Sequence, residues 1–363
     1  MVKLRRGAVA STDPLEVEIG GERRRAWADP ALVGEMQVGD EVVVNTEALD
    51  LGLGSGGFDI VHVNLTRGLD HLGSGGSHVM KLNYTPLQHP VEPVEATPEE
   101  APARPERPTA VLVIPLHGHL APAAWAAREA GPELRIGYLQ TAGGALSGRL
   151  SIDVVRLRDG ALLDGHVTAA PCFGGEHEAI SLVGGLHAAA TKLEWDAVIA
   201  GPGPGILGSA SRYGHGGMAA LDTAHAALAL GLPTLISPRL SSSDPRPRHR
   251  GLSHHSAAVL ALLLATVRVA APEVEAAGWA DSAERADEDA LDALIEVCRD
   301  RHDIDVQAVD LDGYAASGLP TRTMGRELGE DPLFFAAALA AGQALAALAA
   351  RAAIAARERG APG

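Results

Sequence analysis

The chain has 363 residues, 46% of them hydrophobic and 21% charged, with 46 acids against 30 bases for a net charge of −16. That composition excludes a mostly disordered chain, which would lack the apolar surface needed to offset ordering entropy. The acidic balance speaks against nucleic acid and membrane surfaces as partners, and 3% aromatic residues supply few platforms for stacking bases.

Two cysteines, Cys172 and Cys298, cannot build a disulfide framework or a four-cysteine zinc site, which fits a reducing cytoplasm. Met1 to Ser11 is basic but has no apolar stretch, so it does not read as a signal peptide. Lys3, Lys81 and Lys192 are the lysines and every other base is arginine. With so much Ala, Gly and Pro, this usage points to a G+C-rich bacterial genome.

Residues 1–90 read as a small all-β domain. Leu15, Val17 and Ile19 alternate with Glu16 and Glu18, the period of a half-buried strand, and Gly20-Gly21 offers a hairpin turn. Val42 to Val44, Val61-Val63-Leu65 and Met80-Leu82-Tyr84 are further strands, separated by glycines at 52, 54, 56, 57, 73, 75 and 76. A barrel or sandwich would hide their edges. Residues 91–109 are rich in proline and glutamate, the composition of an extended linker.

Residues 110–363 change to an α/β pattern. Val111 to Ile114, Leu134 to Leu139, Val167 to Ala170, Ala197 to Ala200 and Thr234 to Ile236 are apolar runs suited to strands covered on both faces. Each precedes a Gly-rich loop and an Ala/Leu-rich helical stretch, and Asp305 to Val309 adds a sixth run. This predicts a doubly wound, mostly parallel, Rossmann-like sheet. The uncharged stretch between Asp331 and Arg351 reads as a helix of the protein, because alanine gives little transfer energy into a membrane.

Ligands of such sheets bind outside the carboxyl ends of the strands, so the following loops hold the candidates. His117 and His119 could share a metal ion, although no clear carboxylate set accompanies them. Gly143 and Gly144 free backbone N–H groups for an anion. Residues 203–208 match G-x-G-x-x-G, with Gly203 and Gly205 in the loop. Two prolines remove donors and no helix opens directly, so a dinucleotide is not expected.

The segment Arg239 to Ser256 is richest. Arg239, Arg246, Arg248, His249 and Arg250 stand with a single acid, Asp244. Ser253 is a suitable N-cap, which places His254 and His255 in a first helical turn where the helix dipole favours neutral imidazole. Neutral imidazole can act as base, nucleophile or metal ligand. The competing reading is a solvated basic loop.

Four strings, HVMKLNYTPLQ (78–88), GPGILG (203–208), DPRPRHRGLSHHS (244–256) and TMGRELGEDPLFF (323–335), resemble a bacterial family, domain-of-unknown-function family 3866. The resemblance implies a cytoplasmic protein of this architecture and implies no activity.

The leading expectation is therefore a hydrolase or transferase acting on a small anionic, phosphorylated molecule. Arg239, Asp244, Arg248, Arg250, Gly143, Gly144, Gly203 and Gly205 would hold the anion, and His254 or His255 would do acid/base or nucleophilic work. A non-catalytic metabolite-binding or regulatory protein is the first alternative. A hydrolase using a divalent metal on His117, His119, His254 and His255 is the second. Ala-rich helices with few charges would also suit a homodimer.

Overall fold

The computed structural model describes residues 1–53, 56–70, 77–95, 104–273, 281–358 and 360, with the side chains of 281–286 left aside. The glycines at 54, 73, 75 and 76 and the middle of the expected linker, 96–103, lie outside the described residues. The chain divides into two compact units, Met1–Glu92 and Pro93–Gly363.

In the first unit β1 (Leu4–Thr12), β2 (Leu15–Ile19), β3 (Glu22–Trp27), β4 (Glu41–Asn45) and β5 (Asp59–Asn64) close a barrel in the order β1-β2-β3-β5-β4. All pairs are antiparallel except β3 with β5. Alternation turns Val9, Val17, Val42, Val44 and Val61 into the core. Gly20 and Gly21, both at positive φ, make the β2–β3 hairpin turn that few other residues could adopt. The strand expected over residues 80–84 stops early. β6 (Val79–Lys81) pairs only with β7 (His89–Val91), and Leu82 and Tyr84 take positive φ, which breaks the extended chain.

The second unit is an eight-stranded, wholly parallel sheet. Its strands are β8 (Ala110–Val113), β9 (Ile136–Thr141), β10 (Gly165–Ala169), β11 (His177–Ala179), β12 (Ala197–Pro202), β13 (Thr234–Ile236), β16 (Arg268–Pro272) and β17 (Asp303–Gln307). Between β13 and β16 the chain adds a short antiparallel pair, β14 (Leu240–Ser241) with β15 (Gly251–Leu252). The sheet order is β11-β10-β9-β12-β8-β13-β16-β17. The apolar runs form its centre as expected, and β11 and β16 are additional strands.

Helices cover both faces. Residues of Leu182–Thr191, Ala219–Ala229, His254–Leu262 and Asp281–Cys298 pack on one side with Val111, Val113 and Val198. Residues of Leu120–Ala130, Ile152–Asp159 and Pro332–Glu358 pack on the other with Leu112, Ile114 and Ile199. The Pro332–Glu358 helix is long and apolar enough to cross a membrane, yet 83% of its most apolar window is buried inside the protein. Gly342 lets it approach Leu120–Ala130 closely, since a Cβ there would lie 2.2 Å from the Ala123 carbonyl oxygen.

This winding positions a site. The chain leaving β8 enters a helix on one face, while the chains leaving its neighbours β12 and β13 enter helices on the other. Diverging connections open a crevice at the carboxyl ends of these three strands, the topological switch point of the sheet.

Candidate metal and anion site

Four histidines meet at this crevice. His215 ends the long loop after β12, just before the turn Gly216–Met218. His249, His254 and His255 come from the segment after β13. Pairing of β14 with β15 folds that segment back on itself, so that His249 returns to the start of the His254–Leu262 helix. Ser253 Oγ caps this helix by accepting the His255 N–H at 3.3 Å, and the same oxygen lies 2.8 Å from His249 Nδ1.

The rings are in mutual contact. His215 stacks on His255 with centroids 3.6 Å apart and planes within 10°. His254 lies 4.4 Å from His255, and His249 lies 4.7 Å from His255. One ligand nitrogen from each of His215, His254 and His255 falls within 4.8 Å of the other two, the one such group of three among the described residues. Nitrogens on a tetrahedral ion with bonds of about 2.1 Å lie about 3.4 Å apart, so modest ring rotations close the set.

Their hydrogen bonds leave nitrogen lone pairs free. His215 Nε2–H donates to the Arg212 carbonyl oxygen at 3.1 Å, which leaves its buried Nδ1 bare and without a partner. His254 Nε2 is likewise buried and unpartnered. A Cβ at Gly217 would come 3.1 Å from His215 Nδ1 and 3.3 Å from His255 Nδ1, so this glycine preserves the space both nitrogens face. Burial holds the four rings neutral. It lowers His255 to about 2 and His249 to about 3, and it shifts His215 and His254 downward, with neighbouring histidines and Arg239 adding to three of them.

Beneath the rings runs an ion-pair network. Arg239 is 1% exposed, and its Nη2 donates to Asp244 Oδ2 at 2.9 Å. Asp244 is fully buried and also accepts from Arg246 through Nε, Nη2 and the backbone N–H. Arg326 stands 3.5 Å from the same carboxylate and donates to Asp331, which fastens Ser241 and Ser242. These guanidinium groups and hydrogen bonds hold the Asp244 carboxyl well below its ordinary range despite burial. Arg239 keeps its Nε without a partner, and burial draws its pKa down to about 10.

The residues singled out from sequence therefore divide. His254, His255, Arg239 and Asp244 come together here. Arg248 and Arg250 are exposed, and the charge of Arg248 reaches His254. Gly143, Gly144 and Gly203 serve close approach of backbones. A Cβ on Gly143 would lie 2.4 Å from the Gly216 carbonyl oxygen, and one on Gly144 would lie 2.1 Å from that of Gly203. Gly205 takes φ +69° in an open turn.

His117 and His119 are both buried but engage different partners. His117 Nε2 lies 2.7 Å from Ser151 Oγ and its Nδ1 lies 3.3 Å from the Pro202 carbonyl oxygen. His119 Nδ1 lies 2.8 Å from Ser237 Oγ. His215 and His249 are the partners that sequence reasoning left out of the candidate set. Nothing local in the sequence ties His215 to His254.

A family model described as Protein of unknown function (DUF3866) matches residues 25–342. Neither the curated proteins nor the solved structures contain a match to this chain.

Proposed function

The chain belongs to the DUF3866 family, and from the site its fold assembles we propose a cytoplasmic, divalent-metal-dependent hydrolase acting on a small anionic molecule. One observation carries the reading: the ligand nitrogens of His215, His254 and His255 converge within 4.8 Å while two of these rings keep a buried, unpartnered nitrogen. An all-imidazole set suits zinc and its first-row neighbours better than magnesium or calcium, which prefer oxygen.

His215, His254 and His255 would hold the ion with three protein ligands, the count of a catalytic rather than a closed structural site. Bound there, such an ion would supply a nucleophile near neutral pH by lowering the pKa of water to about 7, the chemistry that ester hydrolysis needs. Burial lowers the pKa of all three imidazoles from the ordinary value, so at neutral pH they are unprotonated and able to bind.

The test is metal analysis of purified protein beside a hydrolysis screen of phosphate and carboxylate esters. About one zinc or manganese per chain is expected, with His215→Ala and His254→Ala losing both metal and turnover while remaining folded. Protein that takes up no divalent metal, and gains no thermal stability from added zinc or manganese, would refute the metal. Stoichiometric metal with no turnover of any ester would favour a metabolite-binding or regulatory role. Light scattering of the same protein reads out the homodimer.

A further inference from the structure

Two buried nitrogens beside the histidine cluster lack partners and play no part in the ligand set. Arg239 is committed to Asp244 through Nη2, and its Nε faces no acceptor. His119 is fully buried, with Nδ1 against Ser237 Oγ, and its Nε2 makes no hydrogen bond. The two residues follow the carboxyl ends of adjacent strands, β8 and β13, at the switch point of the sheet. Ser237, which meets His119, lies two residues before Arg239, and the Arg239 backbone N–H donates to Ser256 Oγ at 2.8 Å, next to His255 in the helix start.

A buried guanidinium N–H without an acceptor is unfavourable, and a fold retains one where a ligand completes it. Asp244 prevents this arginine from swinging out to solvent. Arg246 donates to both oxygens of that carboxylate, so Arg239 is held through Nη2 with Nε left over. Arg248 and Arg250 differ, because water already satisfies an exposed guanidinium and an anion gains little by displacing it. Buried donors fixed in advance lose little freedom on binding.

We propose that Arg239 Nε and His119 Nε2 form the anion subsite of this pocket, receiving a phosphate or carboxylate oxygen of the substrate next to the metal position. In this arrangement the Ser237 hydroxyl, 2.8 Å from His119 Nδ1, is the donor of that pair, so that the imidazole proton stands on Nε2 and is given to the anion. The role as a substrate subsite rests on the hydrolase reading, whereas anion binding itself does not require the metal.

Inorganic phosphate and acetate are titrated into metal-free protein, with zinc content measured on parallel samples. Arg239→Lys and His119→Ala should each weaken binding of the preferred anion by about tenfold or more, the loss of one buried charge-assisted or neutral hydrogen bond. Arg248→Ala and Arg250→Ala should stay within about twofold. Should Arg239→Lys fail to fold, His119→Ala and His119→Gln decide alone, with thermal melting as the check on integrity.

Anion affinity that falls with Arg248 or Arg250 and not with Arg239 or His119 overturns the subsite, as does wild-type protein that binds neither anion. Anion binding lost in these variants from a protein that takes up no zinc upholds the subsite and refutes the metal. Full zinc uptake with anion affinity unmoved does the reverse. Preference for phosphate over acetate, or the converse, names the substrate's anionic group.

Discussion

Replacing His166 by glutamine should reduce the acid sensitivity of the second unit. His166 is 4% exposed on β10, stacks on Tyr138 and lies 3.2 Å from Gln140 Oε1 through Nε2. Burial lowers its pKa to about 3, assisted by the charges of His117, Arg158, Arg149 and His177. In the unfolded chain the same group titrates near 6.5. Between these values the unfolded state holds the extra proton, so stability is complete above about pH 6.5 and falls as pH drops. At about 1.36 kcal/mol per pH unit, moving from pH 7 to pH 5 costs about 2 kcal/mol through this residue.

Urea unfolding of metal-free protein, followed by the fluorescence of buried Trp195 and half-buried Trp125, measures that loss at both pH values. His166→Gln should lose about 2 kcal/mol less than the parent chain on acidification, whatever its stability at pH 7. Equal losses in the two proteins would refute the claim that burial keeps this ring neutral.

Gly143→Ala places a Cβ 2.4 Å from the Gly216 carbonyl oxygen at a φ of +115°. It should cost at least about 2 kcal/mol in urea unfolding and reduce zinc uptake by displacing the turn beside His215. Ser253→Ala removes a helix cap and should cost about 1 kcal/mol, with zinc stoichiometry retained because Ser253 meets no free ligand nitrogen. Asp244→Asn leaves Arg239 buried without its counter-charge and should cost about 3–5 kcal/mol, read as a lower urea midpoint.

The division of labour at the site follows from burial. Imidazole can be buried neutral, which suits it to hold a cation, and the four rings sit together without mutual charge repulsion. Guanidinium cannot be neutralised in this way, so the arginines of the network are tied to carboxylates: buried Arg239 to Asp244 and partly buried Arg326 to Asp331. The network therefore supports the loop and, through Arg239, also presents charge to the crevice. Arg246 meets Asp244 from the partly exposed side and is spent on holding that carboxylate.

The sheet was legible in the amino-acid sequence because a strand covered on both faces is written locally, as in Val111 to Ile114 or Ala197 to Ala200. Barrel strands such as Leu15–Ile19 declared themselves by alternation, and Ser253 by its place before a helix. β11, with the sequence His-Glu-Ala, carried no such mark, since its strand state depends on pairing with β10. The histidine cluster was beyond local reading for the same reason. His254 and His255 stood out beside the arginines, but His215 joins them only because β12 and β13 flank β8 and send their loops to one crevice. Nor could a count of charges tell buried Arg239 from exposed Arg248 and Arg250. That difference is made by Asp244, Arg326 and Asp331, brought together from distant segments, because only folding removes water from one guanidinium and leaves it on the others.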